Sequence, residues 1–228
     1  MIKFELVNVM GFMGAMRGMR NPMDSWSRSD SLFQYVNHPE KVKVNLGEND
    51  LDLASRLIKA GSCDRKFLRM IHIQCDVVAP MYWWKEFDTY KVGTVANSCS
   101  TMHKLGSRPL TIEDFSIDSE VLMTPIVQMD FGAFLVKYNR LISLWKKTES
   151  PEEKKEYWRL MIQWLPQSFM QRRTLDFNYE TALAIIKQRK NHKLSEWHDF
   201  CDMLLELPYM KEFVSAMENK NGTDGQGT

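Results

Sequence analysis

The chain has 228 residues, 44% of them hydrophobic and 26% charged, with a formal net charge of +1. That length buries a core without disulfide or metal staples, and near-neutral charge with no concentrated basic stripe argues against nucleic acid as the main partner. No apolar run reaches the roughly 18 residues of a spanning helix, and the first five residues lack the basic-then-apolar start of a signal peptide, so a cytoplasmic protein with no membrane partner is expected.

Residues 2–9 alternate apolar with polar (Ile2, Phe4, Leu6 against Lys3, Glu5), the period of a half-buried strand. Residues 11–16 read as a short helix that Gly18-Met19-Arg20-Asn21-Pro22 breaks. The run Ser25-Trp26-Ser27-Arg28-Ser29-Asp30-Ser31 is either an anion-wrapping loop, through hydroxyls, loop N–H groups and a bidentate arginine, or a solvated turn. Residues 32–49 are weakly patterned, punctuated by Asn37-His38-Pro39 and Gly47-Glu48-Asn49. Asp50 is placed to cap a helix reaching Lys59, with Leu51, Leu53, Ala54, Leu57 and Ile58 on one face and Gly61 at its C-cap.

Residues 70–78 alternate as a strand, with His72 on the polar face in a structural role, since no second metal-type residue stands at a useful spacing. Pro80 fits the start of a helix over 81–88. Thr94-Val95-Ala96-Asn97-Ser98-Cys99-Ser100-Thr101-Met102-His103 is small and hydroxyl-rich, a composition that lets backbone approach a ligand closely. Residues 118–147 carry helical periodicity with an early break at Pro125, and Ser150-Pro151-Glu152-Glu153 opens a helix that reaches Trp164. Leu165-Pro166 ends that helix, 169–177 crosses as a strand with Arg172 and Arg173, and helices fit 179–190, 195–207 and the stretch from Pro208. Residues 219–228 have the composition of a disordered tail behind a single domain of 1–218, and no internal repeat appears.

Cys63, Cys75, Cys99 and Cys201 form no Cys-x-x-Cys pair, so reduced, mostly buried thiols and no metal site are expected. The Asn221-Gly222-Thr223 sequon reads as chance without a secretory signal. Sixteen methionines and seven tryptophans suit subunit contacts or a ligand bed, and equally a methionine-rich core.

Three stretches resemble the flavin-dependent thymidylate synthases. That family's diagnostic motif is Arg-His-Arg followed at fixed spacing by a Ser, an Asn-Glu, a Ser and an Arg-Tyr. It fits here on residues 90–103, behind an aromatic helix, with Asn97 and Ser100 matching outright. Leu165-Pro166 followed by Arg172, Asn178, Leu183 and Arg189 is similar to the family's spacing into its final ligand-binding helix, and the order of elements agrees. Gly18-Met19-Arg20-Asn21-Pro22 with Ser25-Trp26, and Arg189-Lys190-Asn191-His192-Lys193-Leu194 with Glu196-Trp197, resemble a divergent branch of the same family.

The resemblance implies an α+β fold, a mixed or antiparallel sheet flanked by long helices, as the protomer of a homotetramer. It implies an enzyme that binds FAD between subunits, takes reducing equivalents from NADPH and methylates dUMP to dTMP with the carbon of methylenetetrahydrofolate. No protein nucleophile is needed, so no catalytic residue is assigned. By position it gives cofactor contacts to Lys91, Asn97, Asn178, His192 and Lys193, and contacts to a dUMP-like pyrimidine deoxynucleotide to Ser98, Cys99, Ser100, Arg172 and Arg189. Lys91 stands where the family has histidine, Ser98 replaces its Glu, Met102 its last Arg and His103 its Tyr. His192 lies one residue short of the family's histidine, an offset that turns a side chain by about 100° on a helix. Losing the last motif arginine removes a phosphate contact worth roughly 1.5–3 kcal/mol. Arg20, Arg172, Arg173 and Lys104 are the candidates to restore that charge. Trp83 and Trp84 read as a ring-stacking pair, a subunit contact or core. Three other readings stay open: a related pyrimidine deoxynucleotide hydroxymethylase, a non-catalytic nucleotide-binding protein that kept the fold, and an unrelated α/β protein.

Overall fold

Alternating segments become strands and capping signals become helix ends in the computed structural model, which describes residues 2–35 and 42–218. The proposed tail, the sequon and Asn37-His38-Pro39 lie outside the described residues. In chain order the elements are β1 (Lys3–Met10), α1 (Phe12–Arg20), β2 (Leu32–Tyr35), β3 (Val42–Asn45), α2 (Glu48–Ala60), β4 (His72–Pro80), α3 (Met81–Phe87) and β5 (Thr94–Ser98). They continue with α4 (Thr101–Lys104), α5 (Ser119–Leu122), α6 (Pro125–Lys147), α7 (Pro151–Gln163), β6 (Met170–Asn178), α8 (Tyr179–Arg189), α9 (Ser195–Leu205) and α10 (Met210–Glu218).

The result is the α+β class, with a four-stranded sheet in the order β1-β4-β6-β5 and a separate antiparallel β2-β3 pair. Side chains fix the strand directions. On β4 and β6, His72 Nδ1 lies 2.8 Å from Asp176 and Thr174 Oγ1 donates to Asp76 at 2.6 Å, partners whose numbers run oppositely.

The described residues pack as two compact units, those within Met1–Lys3, Val78–Thr89 and Asn97–Arg173 in the first and those within Phe4–Val77, Tyr90–Ala96 and Thr174–Thr228 in the second. The first is built on α6 and α7, whose apolar faces close over Phe115, Tyr138, Leu141, Ile142 and Met161. Tyr138 donates its hydroxyl to the Met161 carbonyl, so this polar tip is satisfied inside the core. Trp83 and Trp84 are both fully buried here; Trp83 stacks on Phe87 with centroids 5.2 Å apart, and Trp84 Nε1 donates to the Gln171 carbonyl at 2.9 Å. Core is therefore the outcome for both tryptophans. Pro125 sits at the first position of α6, where its missing N–H costs nothing, and separates that helix from α5.

The second unit buries alternate residues of β4, Ile73, Cys75 and Val77, against helices that carry Tyr179, Trp197, Phe200 and Phe213. Three sequence expectations are corrected here. Gly18 does not break α1, because Met70 packs where a Cβ would stand, its sulfur 2.9 Å from that point. Residues 32–35 and 42–45 pair as antiparallel strands despite their weak pattern. Asp50 does not cap α2: the carboxylate of Asp30 accepts from Asn49 N at 2.9 Å and Asp50 N at 3.1 Å, while Asp50 itself is fully buried. Asp50 accepts from Arg20 Nε at 2.5 Å, Ser29 Oγ at 2.7 Å and Ser31 Oγ at 2.5 Å. The hydroxyl-rich loop wraps an anion, and that anion is the chain's own Asp50. Of the four thiols, Cys75 and Cys201 are buried and Cys63 and Cys99 exposed, fewer buried than expected.

Candidate functional site

In the first unit β5 ends at Ser98, and the chain turns through Cys99 and Ser100 into α4. Two hydrogen bonds tie that turn to β6: Cys99 N donates to the Arg172 carbonyl at 2.9 Å, and Gln171 Nε2 donates to the Cys99 carbonyl at 3.0 Å. The other end of the buried Gln171 amide accepts from Arg173 Nε at 3.1 Å, so its orientation is held from both sides. Because side chains alternate along a strand, Arg172 and Arg173 face opposite ways. Arg173 pairs with Asp88 at 2.7 Å and lies 4.3 Å over the Trp84 ring. Arg172 is exposed and lines a cavity of about 440 Å³.

That cavity is walled by Cys99, Ser100, Thr101, Lys104, Gln171 and Arg172, with Lys3, Arg108, Glu113 and Asp114 adding charge and Leu110 and Phe169 an apolar surface. Its volume falls in the range of small-molecule sites, roughly 300–1,000 Å³. Arg108 and Asp114 form a two-pronged pair. Burial pushes Asp114 up, but its hydrogen bonds from Arg108 and the Thr111 N–H outweigh this and hold it below the usual carboxylate range. Arg108 is thereby matched by an ionised Asp114, and the wall keeps Lys3, Lys104 and Arg172 against Glu113, a net positive surface beside hydroxyls. Such a set takes an anionic, hydrogen-bonding ligand with an apolar body.

In the second unit the segment before β5 runs along α8. Tyr90 OH donates to Gln188 Oε1 at 2.9 Å and accepts from Arg189 Nε at 2.9 Å, and the Arg189 guanidinium lies 4.8 Å over Trp197. Thr181 Oγ1 donates to the Val92 carbonyl at 3.2 Å. Gly93, at φ +70°, comes so close to Asn178 that a Cβ would stand 2.4 Å from its Nδ2. Asn178 caps α8, its Oδ1 accepting from Thr181 N at 3.0 Å. Past α8, His192 Nδ1 accepts from Leu194 N at 3.2 Å and its carbonyl lies 2.6 Å from His198 Nε2.

The sequence-derived residues thus fall into two sets. Cys99, Ser100 and Arg172 are brought together on the cavity wall, with Asn97 and Ser98 exposed just before them on β5. Lys91, Asn178, Arg189, His192 and Lys193 belong to the second unit. Of the four candidates for the missing motif charge, Lys104 lines the cavity with Arg172, whereas Arg20 is held by Asp50 and Arg173 by Asp88. Lys3, Gln171 and Arg108 were not found from sequence; each reaches the wall through tertiary packing, and none carries a local motif. For an anionic dinucleotide such as FAD, the exposed Lys91 and Lys193 of the second unit offer fitting cations, and the exposed Asn97 of the first a fitting amide donor. Asn178 and His192 already hold the backbone in place, by the cap and turn contacts above.

No family model matches the chain, and no curated protein matches it. Among solved structures, thymidylate synthase X from Helicobacter pylori with FAD and dUMP superposes with a TM-score of 0.67 at 14% identity, covering 96% of this chain and 100% of that one. A second structure of the Helicobacter pylori flavin-dependent enzyme, complexed with FAD and dUMP, gives a TM-score of 0.61 at 13% identity over 93% of this chain and 97% of that one. The chain therefore has the fold of those enzymes over nearly its whole length.

Proposed function

We propose that the chain is a divergent flavin-dependent thymidylate synthase-like enzyme of the cytoplasm. In this reading it methylates dUMP to dTMP with methylenetetrahydrofolate as carbon donor and NADPH as reductant, working as a homotetramer whose protomer is one domain over residues 1–218. The observation that carries the reading is the cavity of the first unit. Residues to which the resemblance assigns the nucleotide, Cys99, Ser100 and Arg172, line one wall together with Lys104 and Lys3.

Arg172 offers a planar fork and Lys104 and Lys3 point charges, so the three would hold a phosphate in place of the missing motif arginine. The Ser100 and Thr101 hydroxyls would donate to the remaining phosphate oxygens, and the apolar surface of Leu110 and Phe169 would exclude water from the base. In the second unit, taken by itself, Arg189, which the resemblance also assigns to the nucleotide, is oriented by Tyr90 and Trp197. By the resemblance, contacts to FAD fall to Lys91 and Lys193 in the second unit, where Asn178 and His192 shape the backbone, and to Asn97 in the first. FAD supplies the redox chemistry that no side chain of this protein can.

The test is the visible spectrum of the purified protein before and after FAD is added. A flavin band that NADPH bleaches, and that recovers faster with dUMP and methylenetetrahydrofolate, is the expected result. A hydroxymethylated product in place of dTMP would redirect the reading to the related hydroxymethylase. Protein that binds dUMP but neither retains nor takes up flavin would leave a non-catalytic nucleotide binder.

A further inference from the structure

Gln171 and Arg172 are neighbours on β6 and belong to the same cavity wall, yet Arg172 is exposed and Gln171 only 7% exposed. The main-chain carbonyl of Gln171 accepts from Trp84 Nε1 at 2.9 Å, its Nε2 donates to the Cys99 carbonyl at 3.0 Å, and its Oε1 accepts from Arg173 Nε at 3.1 Å. Arg173 is held in turn, its Nη1 donating to Asp88 at 2.7 Å and its guanidinium lying 4.3 Å over the Trp84 ring. These partners fix which way round the amide lies. A guanidinium only donates and a peptide carbonyl only accepts, so Arg173 and Cys99 demand the same orientation, and a flipped amide would lose both bonds. Asp88, Arg173 and Gln171 thus form a chain of bonds within the first unit, and its last link is the Cys99 carbonyl.

The turn that carries Cys99 needs such an anchor. Helix α4 behind it has four residues, far below the roughly 12 at which an isolated helix becomes even marginal, so its place is set from outside. On its far side Trp158 Nε1 donates to the Met102 carbonyl at 3.0 Å. On the near side Cys99 N donates to the Arg172 carbonyl at 2.9 Å and Gln171 takes the Cys99 carbonyl, so both backbone groups of Cys99 are tied to β6. Ser100, Thr101 and Lys104, donors of the cavity wall, follow directly. We propose that Gln171 is a positioning residue of the cavity: its amide, oriented by Arg173 and Asp88, holds the Cys99 turn so that these donors meet an anionic ligand already in place. A ligand that has to order its own wall loses that part of its affinity. The proposed function supplies the ligand, dUMP, and the inference rests on that reading for the ligand alone; the resemblance gives Gln171 no role.

The Cys99 thiol is a reporter built into the turn. In the full chain carrying Cys63→Ser the other exposed thiol is gone, and Cys75 and Cys201 are buried, so the rate of alkylation by iodoacetamide at Cys99, followed by mass spectrometry, reads how firmly the turn is held. Gln171→Glu is the decisive variant. It keeps the volume and an acceptor for Arg173 but has no N–H for the Cys99 carbonyl, so the urea midpoint should stay near that of the parent while alkylation of Cys99 rises, and dUMP affinity by calorimetry falls, by about tenfold each. Gln171→Leu should do the same to both readouts. Arg173→Lys, which keeps a donor toward the amide, should retain most of the affinity that Arg173→Met loses. Parent-like alkylation and dUMP affinity in Gln171→Glu, or losses that merely follow the urea midpoint across the variants, would overturn the inference. A parent chain that binds no dUMP would count against the nucleotide reading instead, because the alkylation rates are read without ligand and still decide what holds the turn.

Discussion

Arg20, Arg172 and Arg173 look alike in the sequence and differ only in what stands beside them. Arg20 is 4% exposed, and its partner Asp50 is thirty positions away; Arg173 lies over Trp84 and beside Asp88; Arg172 opens on the cavity with Lys104. Replacing Arg172 by Ala removes a charge-assisted contact of roughly 1.5–3 kcal/mol, so dUMP affinity measured by calorimetry should fall by about 10- to 100-fold, with stability changed by no more than about 0.5 kcal/mol. Arg20→Ala should do the reverse. It leaves Asp50 buried without its cation, which costs about 3–5 kcal/mol in urea unfolding, nearer the low end because the Ser29 and Ser31 hydroxyls stay, and dUMP affinity holds. Equal losses of affinity in the two variants would remove the distinction between them. Sequence named all three arginines and Lys104 as cations near the site, yet could not rank them, because each partner is distant along the chain.

Elements were legible wherever a period or a cap is written locally. β4 shows its alternation, α7 its Ser150 cap and proline, and α2 its C-terminal Gly61, whose N–H donates to Leu57 O at 3.4 Å. What failed depended on partners from elsewhere. Asp30 took the capping role assigned to Asp50, and contact with Met70 held α1 together through Gly18 against a helix penalty of about 1 kcal/mol. The entry to β5 shows how the site depends on such a contact. Gly93→Ala would strain a positive-φ position by about 1–2 kcal/mol and drive a methyl into the Asn178 amide, loosening the α8 cap. Asn178→Ala alone should lose about 1 kcal/mol, and Asn178→Asp should regain most of it, since either side chain accepts from the Thr181 N–H. Thermal denaturation of the three variants checks this. If Asn178→Asp is as unstable as Asn178→Ala, the cap is not what Asn178 contributes.

For the molecule as a whole, a net charge of +1 conceals ionisable groups that the fold holds far from their ordinary behaviour. Burial pushes the Cys75 and Cys201 thiols up to about 12 and raises the Tyr138 and Tyr179 hydroxyls as well. Asp50 goes the other way: burial alone would raise it, but Ser31, Ser29 and Arg20 outweigh that and hold it below its ordinary 3.8. The signs follow from linkage. A thiol whose folded pKa is raised contributes stability that is complete below its unfolded value near 9.0 and is lost as pH rises toward 12. A carboxylate whose folded pKa is lowered contributes stability present above 3.8 and lost as pH falls through the folded value. Urea midpoints across the pH range should therefore hold a plateau near neutrality and fall above about pH 9 as the thiols, then the tyrosines, ionise on unfolding. Cys75→Val, close in volume, should flatten the alkaline limb while leaving the plateau within about 1.5 kcal/mol. Asp50→Asn should lie about 3–5 kcal/mol below wild type at neutral pH, with the gap closing as the acid limb is entered, because protonation does to the wild type what the substitution does at every pH. A gap that stays constant into acid would mean that Asp50 is not ionised in the fold, and the loop of Ser29 and Ser31 would then owe its position to packing alone.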